Sequence, residues 1–206
     1  MKVILLNGSP HQNGCTYTAL RECADTLNAE GIESEIVWLG NKPLQTCLAC
    51  GKCKAAGKCV FDDVVNEIAA KMDGADGLIV GSPVHYSGAS SQTVTVMNRL
   101  FFSACPRFYG KFGASVVSCR RGGASATFEQ LNQFFTICSM PIVPSQYWNQ
   151  VHGFTPEDVR KDLEGMQTMR TLARNMAWLV KCVKAGENAG ITKPVREPAM
   201  ITNFIR

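Results

Sequence analysis

The sequence predicts an α/β fold, a doubly wound parallel sheet of five strands in the order 2-1-3-4-5. Three observations carry this. Extended and helical periodicities alternate from one end of the chain to the other. The apolar runs are short, as in strands buried on both faces. The first and third strands each end in a loop rich in Gly, Ser and Pro, where a ligand-binding crevice belongs in such a sheet.

Lys2 to Leu6 is the first strand, and Asn7-Gly8-Ser9-Pro10 interrupts it with residues that continue neither periodicity. From Thr16 to Glu30, Leu20, Cys23, Ala24 and Leu27 recur at i, i+3, i+4, i+7 spacing, and Gly31 closes the segment as a helix C-cap. Glu33 to Leu39 alternates as a second strand. After a cysteine-rich insert, Val65, Ile68, Ala69 and Met72 mark the second helix. Gly77 to Val80 is the third strand, followed by the loop Gly81 to Gly88. A third helix is predicted over Ser90 to Ser103, a fourth strand over Ala114 to Ser118, and a fourth helix over Ala124 to Cys138, with Phe128, Leu131 and Phe135 on one face. Pro141 to Pro144 is the fifth strand. Glu157 to Ala185 is one long helix with Met169, Leu172, Ala173, Met176, Val180 and Val183 at core spacing. Residues 1–186 form one domain with an insert at 43–62, and 187–206 form a C-terminal extension that lies along the surface or reaches a partner subunit. Right-handed crossovers place the switch point between the first and third strands, so their loops face one ligand.

Composition narrows the function. With 206 residues, 46% of them hydrophobic, the chain suits one domain with one substantial core. Its apolar runs fall far short of the roughly 20 residues that span a bilayer, and MKVILLNGSP lacks a signal-peptide pattern. Ten cysteines in such a chain argue against a disulfide framework and for reduced thiols, metal ligands or redox chemistry in a reducing cytoplasm. A net charge of +4, clustered no further than Arg120-Arg121, is too weak for a nucleic-acid footprint and suits anionic small ligands.

The first loop, Gly8 to Thr16, joins a strand to a helix start, where free N–H groups and the positive end of the helix dipole favour an anion. Ser9 and Thr16 add hydroxyls, Gly14 allows close backbone approach, and His11 adds a side chain that can carry positive charge. Simple capping of the helix by Ser, Asn and Thr is the plainer alternative. The loop has neither the G-x-x-x-x-G-K-[ST] nor the G-x-G-x-x-G spacing, which leaves a monophosphate as the best fit.

G-S-P-x-x-x-G-x-T after the first strand and S-P-V-x-Y-x-G after the third resemble the NADPH-dependent FMN reductase family of flavodoxin-like proteins, over nearly the whole chain. The resemblance implies that Ser9, His11, Gly14, Cys15 and Thr16 hold the FMN phosphate. It implies too that Pro83, Val84, His85, Tyr86, Ser87 and Gly88 lie along the isoalloxazine ring. Cys15 stands where relatives commonly carry Ser or Asn, leaving phosphate contacts to backbone amides, and His85 stands where an aromatic residue is usual. The loop after the fourth strand, with Cys119, Arg120 and Gly123, matches the family's remaining flavin contact. One arginine there could stabilise the anionic reduced flavin, or both could be solvated surface residues.

Cys47-x2-Cys50-x2-Cys53-x5-Cys59 places four thiols in one insert, with Gly51 and Gly57 at the bends. Four thiolates fit a 4Fe-4S cluster or an all-cysteine zinc site, and the tight spacing of the first three favours the cluster. The motif, with Val60-Phe61-Asp62-Asp63 after it, resembles the iron-sulfur flavoprotein branch of the same family. A metal-free or zinc-bound loop remains the alternative. Cys23, Cys105, Cys119, Cys138 and Cys182 have no ligand spacing and read as small buried hydrophobes. Gln146 to Gly153 is either a wall of the flavin or substrate pocket or a segment whose Trp148 fills a gap beside the last helix.

Together these readings predict an FMN oxidoreductase that passes electrons between a donor and an acceptor, with FMN and a 4Fe-4S cluster carrying the chemistry and no side chain required as an acid or base. NAD(P)H is a possible donor. The alternatives are a flavin-only NAD(P)H-dependent reductase of quinones, nitro or azo compounds or free flavin, and a non-enzymatic carrier, although carriers of that type are usually acidic and this chain has a pI near 8.5. Expected partners are a small-molecule or protein redox partner and copies of the chain in a homodimer or homotetramer, with no nucleic acid and no membrane.

Overall fold

The computed structural model describes residues 1–204. Its strands are β1 (Lys2–Asn7), β2 (Glu33–Trp38), β3 (Gly77–His85), β4 (Gly88–Ala89), β5 (Phe112–Cys119) and β6 (Gln150–His152). Its helices are α1 (Cys15–Ala29), α2 (Cys53–Ala56), α3 (Val64–Asp73), α4 (Ser91–Phe108), α5 (Ala124–Ile137), α6 (Pro156–Lys161) and α7 (Leu163–Asn188). The main sheet runs β2-β1-β3-β5-β6, all parallel, which is the predicted order once the small strand β4, paired antiparallel with β3, is set aside.

Both faces of the sheet are covered, as the apolar runs required. On one face Val3, Leu5, Ile79, Ala114 and Val116 pack with Leu20 and Leu27 of α1 and Leu172 and Met176 of α7. On the other, Ile4, Leu6, Leu78, Val80 and Val117 pack with Ile68 of α3, Leu100 of α4 and Phe135 of α5. Contact is close. A Cβ added at Gly81 would lie 2.7 Å from Leu20 Cδ1, so this glycine lets α1 settle onto β3. Deleting a fully buried leucine such as Leu20 would cost about 2–5 kcal/mol.

Four departures from the predicted elements have physical causes. The fifth strand position is shared: Pro141 and Val143 exchange backbone hydrogen bonds with Gly113, and the chain then leaves and returns as β6 beside Val117–Cys119. The third strand continues through the predicted loop to His85, because Val84 and His85 gain partners in Ala89 and Gly88. The long terminal helix breaks at Asp162, whose carboxylate accepts from Gly165 N at 2.9 Å and His152 N at 2.7 Å and so starts α7 afresh. The short helix α2 lies inside the insert and ends at Gly57, in the left-handed region at φ 65°.

The cysteine expectations also need correction. Cys105 of α4 and Cys138 after α5 are disulfide-bonded, with Cα atoms 5.3 Å apart; 33 residues of separation carry no local signal of that pairing. Cys182 is exposed, whereas Cys23 and Cys119 are buried as expected. Among the described residues no helix is long and apolar enough to cross a membrane.

Candidate functional site

At the carboxyl edge of the sheet, an open cleft of about 490 Å³ lies among the chain segments at the ends of β1, β3 and β5. This size suits a small-molecule site. The first loop forms one wall with Ser9, His11, Gly14, Cys15 and Thr16, the end of β3 another with Pro83, Val84 and His85, and the end of β5 a third with Ser118, Cys119 and Arg120. Ten of the fourteen predicted cofactor contacts thus meet around one space, while Tyr86, Ser87, Gly88 and Gly123 stand outside its lining. Tyr86 and Ser87 form the tip of the β3–β4 hairpin with φ 51° and 62°, and Tyr86 is fully exposed. Gly123 serves that hairpin differently. Its φ is 87°, and an added Cβ would lie 2.8 Å from Ser87 Cα, so the third loop is pressed against the second.

The first loop is held from behind. Asn7, completely buried, accepts from Ser9 N through Oδ1 at 3.1 Å and donates through Nδ2 to the Gln12 carbonyl at 2.9 Å. Ser9 Oγ accepts from His11 N, and Trp38 Nε1 donates to the Ser9 carbonyl at 2.8 Å. The Gly8 carbonyl accepts from Ser90 Oγ at 2.8 Å, and Gly8 N donates to the Gly81 carbonyl at 2.9 Å, which ties the first loop to the third strand and to the start of α4.

The plainer alternative, that Ser, Asn or Thr merely caps the first helix, is not met. Gly14 is the N-cap of α1, no side chain caps it, and the first turn has no acidic residue. Thr18 Oγ1 turns back to the Gly14 carbonyl instead. The positive helix end therefore opens on the cleft, and its donor set of backbone amides and Ser9 and Thr16 hydroxyls fits a phosphate group. Thr16 is less free than its position in the motif implies: its hydroxyl is buried and lies 2.8 Å from Ser118 Oγ. The Cys15 thiol is directed at the Gly153 carbonyl, 3.9 Å away, and leaves the anion to the amides. Burial pushes the Cys15 thiol up, and Asp158 and Glu157 push the same way.

Sequence reasoning missed the fourth wall. Gly153, Phe154, Thr155 and Pro156 close the cleft after β6, where Thr155 and Asp158 form a capping box for α6. The T-P-E-D run is the signal that could have marked a helix start there. The polar-aromatic stretch before it contributes Gly153 only. Trp148 neither walls the cleft nor fills a gap: it is 48% exposed, with its ring 5.0 Å from that of Tyr147. Cys119 Sγ lies 3.4 Å from His152 Nδ1, and burial, aided by Asp162, pushes this thiol up as well.

The cysteine insert follows β2 and packs against the middle of α4. Cys47, Cys50, Cys53 and Cys59 all line one small hollow, together with Leu48, Val60, Phe61, Phe102 and Arg99. Gly51 and Gly57, at φ 70° and 65°, make the bends that the spacing required. Among the described residues no three His, Cys, Asp or Glu side chains converge as a single-ion site demands. The donor set, four thiols with no carboxylate in the lining, fits an iron-sulfur cluster, whose ligands hold separate iron atoms.

The back of this hollow is built by a residue that sequence reasoning overlooked. Arg99 of α4, 1% exposed, pairs with both oxygens of Asp63 at 2.7 and 2.9 Å, and Asp63 also caps α3 through Val65 N. Burial works against the Arg99 charge, and Asp63 and Cys59 outweigh it, holding the guanidinium above its ordinary value. Asn66 grips the same corner, accepting from Cys59 N and donating to the Cys59 and Phe61 carbonyls, each at 3.0 Å.

In sequence and in fold the chain is similar to known proteins. The model of the NADPH-dependent FMN reductase family matches residues 1–155. An iron-sulfur flavoprotein of Methanocaldococcus jannaschii is 38% identical over 89% of this chain and 100% of its own length. An iron-sulfur flavoprotein of Methanosarcina thermophila is 28% identical over 89% of this chain and 97% of its own length. Among solved structures, RosB with bound 8-demethyl-8-formylriboflavin 5'-phosphate superposes with a TM-score of 0.69 at 15% identity, covering 100% of this chain and 96% of RosB. An archaeal flavodoxin gives 0.58 at 15% identity, over 88% of this chain and 99% of its own, and these two likenesses concern the fold.

Proposed function

This chain belongs to the NADPH-dependent FMN reductase family, in its iron-sulfur flavoprotein branch, and from that premise we propose that it is an FMN-dependent oxidoreductase whose cysteine insert carries a 4Fe-4S cluster. One observation supports the flavin reading above the others: the uncapped, Gly14-led start of α1 opens into a cleft whose remaining walls are the ends of β3, β5 and β6. When bound, FMN takes up two electrons as a hydride and releases them singly, and a 4Fe-4S cluster handles one electron at a time.

The side chains bind and orient. Amides of Cys15 and Thr16 and the Ser9 and Thr16 hydroxyls would hold the phosphate, the Gly14 amide being taken by the His11 carbonyl at 3.2 Å. Pro83, Val84 and His85 would hold one side of the ring and the Ser118–Arg120 segment another, where Arg120 would offset negative charge. Cys119 and Cys15, with thiols kept neutral by burial, add no charge of their own at neutral pH. Cys47, Cys50, Cys53 and Cys59 would hold the cluster, which would supply one-electron chemistry beside α4. NAD(P)H is the proposed hydride donor, reaching the ring through the open mouth of the cleft.

The test is anaerobic isolation followed by iron, labile-sulfide, zinc and flavin assays, with absorption spectra before and after NAD(P)H. The proposal expects one FMN and four iron atoms per chain and bleaching of the flavin bands. Full FMN without iron would leave a flavin-only reductase. Zinc without flavin would replace the redox reading with a zinc-stabilised binding module.

A further inference from the structure

Among the described residues Arg99 is the one side chain that links the wall of the cysteine hollow to the body of the fold through sulfur. It enters from α4, beneath the insert, and its planar fork is occupied on every nitrogen. Nε and Nη2 each donate to Cys59 Sγ at 3.3 Å. Nη1 donates to the Gln45 carbonyl at 3.2 Å, and Nη2 reaches the Phe61 carbonyl at 3.4 Å. Asp63 takes the two paired N–H groups described above, and the Phe61 ring lies 5.1 Å from the guanidinium carbon.

A purely structural clamp would need only Asp63 and the carbonyls. Two donors aimed at one sulfur do something more, because hydrogen bonds to a cluster's ligand sulfurs draw electron density from them and favour the reduced cluster. The bidentate pair with Asp63 fixes the plane of the fork, so these N–H groups cannot swing away. Asn66 fixes the Cys59 backbone on both sides. Cys59 is therefore held at backbone and sulfur alike, whereas Cys47 and Cys50 are exposed.

We propose that Arg99 is a positioning residue that keeps Cys59 in ligand-ready place and, by donating two hydrogen bonds to its sulfur, raises the reduction potential of the cluster held there. This rests on the cluster reading given above. Lysine could keep the charge but not the paired donors, and a neutral residue would keep neither.

The experiment compares wild type, Arg99→Lys, and the double variant Arg99→Met/Asp63→Asn, which removes the carboxylate that Arg99→Met alone would strand. Each is reconstituted anaerobically, assayed for iron and sulfide, and titrated with redox mediators while flavin and cluster bands are followed separately. The expected result is a cluster reduced at least tenfold less readily in both variants, about 59 mV lower for this one-electron couple, with the flavin midpoint unmoved. Loss of iron from a double variant that still folds and binds FMN also supports the positioning role. Should the double variant not fold, Arg99→Lys decides alone. A variant with full iron content and the wild-type cluster midpoint, or with flavin and cluster shifted together, overturns the proposal. A wild type that keeps FMN but takes up no iron overturns the cluster reading itself, and this inference with it.

Discussion

The hydroxyls of Thr16 and Ser118, 102 residues apart in the chain, lie 2.8 Å from each other and are buried. They join the first turn of α1 to the end of β5 and so set the distance between the two walls that would grip opposite ends of FMN. Ser118→Ala leaves the buried Thr16 hydroxyl without this partner, at a cost of about 1–3 kcal/mol. Urea denaturation should show that loss, and FMN affinity should fall about tenfold. Thr16→Val/Ser118→Ala, which removes both polar groups, should recover much of the stability but not the affinity.

Gly8 tests the other junction. An added Cβ would overlap Thr93 Oγ1 and lie 2.9 Å from the Gly81 carbonyl. Gly8→Ala should therefore push the phosphate loop away from α4, destabilising the chain by about 1–3 kcal/mol and weakening FMN binding, as measured by flavin fluorescence quenching. Adding Thr93→Ala should relieve only part of this, because the Gly81 carbonyl remains in the way.

Three thiols should make stability fall at alkaline pH. Burial pushes Cys15, Cys23 and Cys119 up. Between the unfolded and folded values the native state binds more protons, so stability falls as pH rises above the ordinary thiol range near about 8.5. Below that range all three are protonated in both states and contribute no slope. Thermal unfolding from pH 7 to 10 should show a decline that Cys23→Ala reduces, and alkylation of Cys15 and Cys119 at pH 7 should be slower than that of a free model thiol.

Asp162 accounts for a misread helix and for the fourth wall of the cleft. Asp162→Ala removes the acceptor for Gly165 N and His152 N and should cost about 1–2 kcal/mol, in the range of a lost N-cap. The account expects His152, and with it the contact to Cys119, to become more mobile, visible as a broadened imidazole resonance.

What the sequence made legible follows from how local each cause is. The strand order, the phosphate loop and the bends at Gly51 and Gly57 depend on periodicity and on residues with restricted or unusual backbone preferences, so they can be read from short windows. The break at Asp162 rests on Gly165 and His152, three and ten residues away, whereas the shared fifth strand and the Cys105–Cys138 bond depend on partners far along the chain. Arg99 was invisible for the same reason: within α4 it is one polar residue among many, and only the folded chain brings Asp63 and Cys59 to it. Phe154 to Pro156 follow the polar-aromatic stretch, and their only local signal is the capping sequence at Thr155 and Asp158.

The central claim is that the amides at the start of α1 hold a single phosphate group. Titrating flavin-free protein with FMN and with riboflavin, which differ only in that phosphate, tests it most directly. The account predicts one FMN per chain with submicromolar affinity and riboflavin binding weaker by about a hundredfold or more, consistent with about 3 kcal/mol from charge-assisted hydrogen bonds. Equal affinity for the two flavins, or no uptake of FMN at micromolar concentration, would contradict it.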